Sequence, residues 1–144
     1  MTRFASVILV DRRGWVLLQE RDEHARIAPD KWSYSGGHIE DGETELAAAV
    51  RELAEETGLR IGAAELELHG SFEIFHPETS SADRVWIYAA ASTATDADID
   101  CTEGRQIVFV DPARARALDL GTLAAATLPG FLDSELYARL AGSG

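Results

Sequence analysis

Between residues 44 and 58 the apolar positions recur with a helical period. Leu46, Val50, Leu53 and Thr57 fall at i, i+4, i+7 and i+11 and share one face that can be buried. Glu52, Glu55 and Glu56 fall at i, i+3 and i+4 and share a different face. Asp41-Gly42 is a turn signal, Thr44 suits an N-cap, and Glu43 and Glu45 suit the positive end of a helix. Gly58 stands where a helix commonly ends in a left-handed residue. The pattern predicts a glycine loop, a helix of about 14 residues and a glycine stop.

Elsewhere short apolar runs predict strands. Residues 4–10 and 15–19 are rich in apolar and β-branched side chains, and the turn Asp11-Arg12-Arg13-Gly14 between them predicts a hairpin. Residues 20–31 are polar, carry Pro29 and read as a loop, and 32–35 form a short extended piece entering Gly36-Gly37. Residues 65–75 alternate, with Leu66, Leu68, Gly70, Phe72 and Ile74 on one side, a half-buried strand with a kink available at Gly70. Residues 76–83 have no period and predict a loop that could wall a pocket. Strands are predicted at 84–91 and 106–110, a short helix from Asp111-Pro112-Ala113, and a terminal amphipathic helix over 130–140 with frayed residues beyond it. No repeat or long linker divides the chain, so residues 1–144 are expected to form one domain.

Charge narrows the partners. Net charge is −12, from 25 acidic and 13 basic residues, which argues against a nucleic-acid polymer as partner. It leaves room for a phosphorylated small molecule, because a bound cation inverts the local field. The single cysteine, Cys101, excludes an internal disulfide and fits a reducing compartment. It lies in a polar, acidic stretch that disfavours the thiolate a nucleophile needs. No apolar run approaches the ~20 residues of a membrane span, and Met1-Thr2-Arg3 leads directly into a strand rather than a signal peptide. A cytoplasmic protein with no membrane partner is expected.

The carboxylate face carries the candidate chemistry. Three adjacent like charges repel, and a divalent cation removes that repulsion; Mg²⁺ and Mn²⁺ favour such oxygen ligands. From Gly37 the chain reads Gly37, five residues, Glu43, seven residues, then Arg51-Glu52-Leu53-Ala54-Glu55-Glu56-Thr57-Gly58-Leu59. This resembles, at every fixed position, the Nudix box of the Nudix hydrolase superfamily. The resemblance implies an α/β fold, an α/β/α sandwich around a mixed β-sheet. It also implies a divalent-metal-dependent hydrolase, with Mg²⁺ or Mn²⁺, acting on a nucleoside diphosphate linked to another group. Glu52, Glu55 and Glu56 would bind the metal, often with the Gly36 carbonyl, and Glu43 would pair with Arg51 to hold the loop against the helix. The general base is left open between Glu52 and Glu55. Many relatives carry proline where this chain has Ser35. Homodimers are common in the family, which makes that assembly available here.

Outside the box, Arg21 follows a strand and could hold a phosphate with its guanidinium fork. Trp32 could stack on a base, although core packing is the commoner fate of such a residue. Glu103 precedes Gly104 and a late strand, and in some Nudix enzymes an acid in that region approaches the metal or activates water; Glu73, Glu78 and Asp83 are rivals. His38 suits a supporting role beside the metal loop, and His24, His69 and His76 lack metal-ligand spacing. Two other function classes compete. Isopentenyl-diphosphate isomerases share the fold but use a cysteine ahead of the box, whereas Cys101 lies after it. Non-catalytic ligand-binding modules typically lose box carboxylates, and all are present here. The substrate stays open among an oxidised nucleoside triphosphate, a nucleotide sugar and ADP-ribose.

Overall fold

The computed structural model describes residues 1–77 and 79–142. Strand β1 (Thr2–Val10) runs through the middle of a mixed sheet. The later strands are β2 (Val16–Glu20), β3 (Trp32–Ser33), β4 (Ser35–His38), β5 (Glu67–His76), β6 (Ser81–Ala91) and β7 (Gln106–Val110). On one side β1 is parallel to β6 in unbroken register from Thr2↔Asp83 to Val10↔Ala91, and β5 closes that edge antiparallel to β6. On the other side β1 is antiparallel to β4 at residues 4–7 and meets β2 at Val10↔Val16. Strand β2 pairs with β7 and with β3.

Alternation along β1 divides the core. Ala5, Val7 and Leu9 face helix α1 (Glu45–Thr57), which buries Ala48, Ala49 and Leu53 against them, with Leu17 and Phe109. Ile8 and Val10 face the other way, onto α2 (Pro112–Ala117), α3 (Thr122–Leu132) and α4 (Glu135–Ala141), where Leu128, Phe131 and Leu140 meet Leu18 and Ile87. Each such Leu, Ile or Phe contributes about 1.5–3 kcal/mol through burial. The result is helices on both faces of one mixed sheet, the α/β/α sandwich expected from the box. Two tyrosines tie the second layer down: the Tyr34 hydroxyl shares a 2.7 Å hydrogen bond with Thr127 Oγ1, and the Tyr137 hydroxyl donates to the Gly14 carbonyl at 2.5 Å.

Four expectations are corrected. The hairpin of residues 4–19 is reduced to one residue pair, because β4 occupies the edge of β1 that β2 would have taken, and a backbone edge can be paired only once. The simple alternation of residues 65–75 breaks at a bulge: Leu68 faces Tyr88, Gly70 faces Ile87, and His69 is the extra residue between them. One inserted residue reverses the phase of a strand, so Leu68 is 53% exposed while the His69 ring meets Phe131 edge-on at 5.1 Å. The loop expected at 76–83 shrinks to the connection between His76 and Ser81, since β5 extends to His76 and β6 begins at Ser81, with a buried contact of His76 Nε2 with Asp83 Oδ2 at 2.9 Å. Glu78 lies outside the described residues, as do 143–144 at the expected frayed end. The single terminal helix is two, broken where Ser134 donates to the Phe131 carbonyl and caps the Tyr137 amide. Helix α3 escaped the sequence reading because it has little polar face to give it a period, and it contains Pro129.

Candidate functional site

Helix α1 begins at the Thr44 cap, whose hydroxyl accepts from the Ala47 amide, and stops at Gly58 with φ of 78°. Its three carboxylates share a face but not an environment. The Glu55 side chain is 59% exposed and Glu52 16%, while Glu56 is buried. They therefore form a gradient from solvent to core, a distinction helical spacing cannot convey.

The glycine pair lets the strand lie against this gradient. A Cβ on Gly36 would come within 2.3 Å of the Ala5 carbonyl oxygen, and one on Gly37 within 2.4 Å of the Glu52 carboxyl carbon. Gly36 requires glycine for its approach to the β1 backbone, whereas a side chain at Gly37 would displace the Glu52 carboxylate. The Gly36 amide donates to Glu56 Oε1 at 2.8 Å, fixing the buried acid to the loop.

Arg51 binds the loop to the helix. Its Nε and Nη2 donate to the two oxygens of Glu43 at 2.7 and 2.9 Å, the fork-to-carboxylate arrangement. Nη2 also reaches the His38 carbonyl at 3.0 Å, and Nη1 reaches Glu52 at 2.9 Å and Glu55 at 3.2 Å. Arg51 hydrogen bonds lower the Glu43 carboxyl to about 2, and the same bonds raise the guanidinium well above its ordinary value.

A fourth carboxylate arrives from far along the chain. The amide of Asp100 donates to the Thr57 carbonyl at 2.8 Å and Thr102 Oγ1 donates to the Glu55 carbonyl at 3.1 Å, so the loop satisfies carbonyls that the end of α1 leaves open. Glu103 follows directly, and its charge acts on both Glu52 and Glu56. Burial, then the charges of Glu52 and Glu103, push the Glu56 carboxyl up to about 8 against the opposing Gly36 hydrogen bond. Burial also raises Glu52. Arg21 holds the Ile27 carbonyl through Nε at 2.8 Å, opposes the Glu56 shift, and lines a cavity of about 190 Å³ with Gln19, Asp22, His24, Ala25 and Glu103.

Among the described residues, no three acidic, histidine or cysteine side chains converge into a ready-made metal cage. The donor set nevertheless fits a hard divalent cation. Every donor is an oxygen, the buried carboxyl carries excess negative surroundings, and Mg²⁺ commonly uses one or two carboxylates with waters and substrate phosphates.

The other sequence candidates are placed elsewhere. Trp32 is 7% exposed and belongs to the core on the sheet face opposite α1, so base stacking is not open to its ring. Asp83 is committed to His76, and Glu73 is exposed on edge strand β5. Cys101 is exposed and its Sγ donates to the Glu103 carbonyl at 3.1 Å. Thr102 and Gln19 were missed; both act through backbone groups distant in sequence, which no local pattern signals.

The NUDIX domain family matches residues 2–129 of this chain. A dihydroneopterin triphosphate diphosphatase of Escherichia coli strain K12 is 32% identical over 125 residues, covering 81% of this chain and 76% of the relative. An isopentenyl-diphosphate Δ-isomerase of Nocardia farcinica is 32% identical over 117 residues, covering 80% and 66%. A MutT protein of Methanosarcina mazei superposes with a TM-score of 0.70 at 20% identity, over 83% of each chain, a likeness of fold. The chain spans between 20% and 64% of the length of the first curated relatives it matches.

Proposed function

Because the chain belongs to the NUDIX domain family, we propose that it hydrolyses a phosphoanhydride bond in a nucleoside diphosphate linked to another group. The observation that supports this best is the buried Glu56 carboxyl, held by the Gly36 amide and under the charges of Glu52 and Glu103, with Arg21 and Glu103 lining a cavity beside it. Glu52, Glu55, Glu56 and the Gly36 carbonyl would hold Mg²⁺ or Mn²⁺, with Glu103 completing the negative charge around it. A bound divalent cation neutralises diphosphate charge and makes a bound water easier to deprotonate.

The chain's own groups do the rest. Arg51 keeps the loop and helix in one geometry through Glu43 and the His38 carbonyl. Arg21, fixed at Nε, would turn its other guanidinium N–H donors, which have no hydrogen-bond partner among the described residues, to a phosphate oxygen. Of the two proton acceptors left open by the sequence, we favour Glu52. It is half-buried, faces Gly37 and has a raised pKa, whereas Glu55 is mostly in solvent. The expected partner is a nucleotide-type small molecule, and a cytoplasmic setting suits it. Among the described residues no helix is long and apolar enough to cross a membrane.

The test is a hydrolysis panel with Mg²⁺ and with chelator. It contains an oxidised nucleoside triphosphate, a nucleotide sugar, ADP-ribose, dihydroneopterin triphosphate and isopentenyl diphosphate. Chelator-sensitive release of a phosphorylated product from one of the first four supports the reading. Isomerisation of isopentenyl diphosphate without hydrolysis of the others overturns it.

A further inference from the structure

Gln19 is out of place for its surroundings. It lies on the α1 side of β2, opposite Ile107 and two residues from Leu17, in a layer otherwise filled by aliphatic and aromatic side chains, and is only 2% exposed. An aliphatic side chain would pack there without an amide to satisfy. Half of this amide is left over: Gln19 Oε1 is buried with no hydrogen-bond partner among the described residues. The other half is committed, because Nε2 donates to the Glu103 carbonyl at 2.8 Å across 84 residues of chain.

The receiving loop is built onto that amide. Gly104 has φ of 80°, and a Cβ there would stand 2.7 Å from the Glu20 carbonyl oxygen and 3.0 Å from Gln19 Nε2. The Arg105 amide then donates to the same Glu20 carbonyl at 2.8 Å. Residues 103–105 therefore rest on β2, while Thr102 holds the other side of the turn to α1. Gln19 Nε2, from the buried layer, and Cys101 Sγ, from the loop itself, both donate to the carbonyl of Glu103, the residue whose charge acts on Glu52 and Glu56. Gln19 also walls the cavity beside Arg21.

We propose that Gln19 is a positioning residue for the cation site: its side-chain amide fixes the Glu103 backbone and thereby holds the Glu103 charge toward Glu52 and Glu56. The inference rests on the metal-dependent reading above. Removing the amide leaves every carboxylate in the chain but frees one of them to move. Loss of such a supporting hydrogen bond typically weakens metal affinity about tenfold or more.

Mn²⁺ titration of the full chain, with free Mn²⁺ read by electron paramagnetic resonance and no nucleotide present, tests this. The proteins are wild type, Gln19→Leu, Gln19→Met, Glu103→Gln and the Gln19→Leu/Glu103→Gln double variant. Gln19→Leu is expected to weaken Mn²⁺ binding about tenfold, and Glu103→Gln by at least as much. The double variant should bind no more weakly than Glu103→Gln alone. In chelator, Gln19→Leu should unfold in urea at or above the wild-type midpoint, separating positioning from loss of fold. Gln19→Met replaces it should the leucine variant not fold. Wild-type Mn²⁺ affinity in the folded Gln19 variant, or losses that multiply in the double variant, would overturn the proposal while leaving the metal site intact. A wild-type protein that binds no Mn²⁺ removes the metal-dependent reading itself, and this inference with it.

Discussion

At the scale of single residues, Glu56 is the most informative group. Its carboxyl sits at about 8 in the folded protein against an ordinary value of 4.5, so the folded state takes up a proton that the unfolded chain has lost. That contribution is fully present below about pH 4.5 and is lost as pH rises through about 8. In chelator, wild type should therefore lose stability over that window, and Glu56→Gln, which keeps an oxygen for the Gly36 amide, should not. Urea midpoints at several pH values measure it, and parallel slopes for the two proteins would remove the assignment. With Mg²⁺ and substrate the ranking reverses: Glu56→Gln should lower kcat by roughly 10²–10³-fold, the scale of losing one preorganised stabilising group. Ser35 offers a second residue-level check. Its hydroxyl is fully buried with no partner among the described residues, where many relatives carry proline. Ser35→Ala removes an unsatisfied group and should leave stability unchanged or raise it by about 1 kcal/mol. A lower melting temperature would show that the hydroxyl has a partner.

At the scale of elements, the junction of β4, the glycine loop and α1 depends on Arg51. Four carboxylates and a backbone carbonyl lie within its reach, and it is the donor that joins residues 38–43 to the helix. Arg51→Ala should lower the urea midpoint in chelator by more than Glu56→Gln does, since it leaves Glu43 with only the Glu40 amide and removes the Arg51 donor to Glu52, and should lower activity through a displaced loop. An unchanged midpoint with abolished turnover would instead assign Arg51 to the substrate. The pair also has an acid limit. Glu43 titrates at about 2, below its ordinary value, so its stabilisation is present above about pH 4.5 and disappears as pH falls toward 2.

At the scale of the whole molecule, net charge of −12 and a buried acid under the charges of its neighbours make cation binding a source of stability. A ligand that binds only the folded state adds RT ln(1 + [L]/Kd), about 1.4 kcal/mol at ten times Kd, or a few degrees in Tm for a chain of this size. Millimolar Mg²⁺ should raise Tm beyond a NaCl control of matched ionic strength, and Glu56→Gln should lose most of the difference. Equal shifts from Mg²⁺ and NaCl would mean that general screening, not a site, accounts for the effect.

Much of α1 was determined locally. The Thr44 cap, the Gly58 stop and the spacing of Glu52, Glu55 and Glu56 are interactions within a few residues, so they are legible in the sequence, and the observed helix obeys them. The existence of β1, β6 and β7 was legible for the same reason, because a run of apolar and β-branched residues is a local property. What depended on distant backbone was not. Which strand takes the second edge of β1, the reversal of phase at His69, and the burial of Trp32 on the far face are settled by pairing between separated segments. The same holds inside the site. Spacing makes the three box glutamates equivalent, and only packing against β1 and β4 makes Glu56 a buried acid and Glu55 a solvated one. The charge of Glu103 reaches them because Thr102 and Gln19 hold its loop on either side, through hydrogen bonds that span 47 and 84 residues and leave no periodic trace.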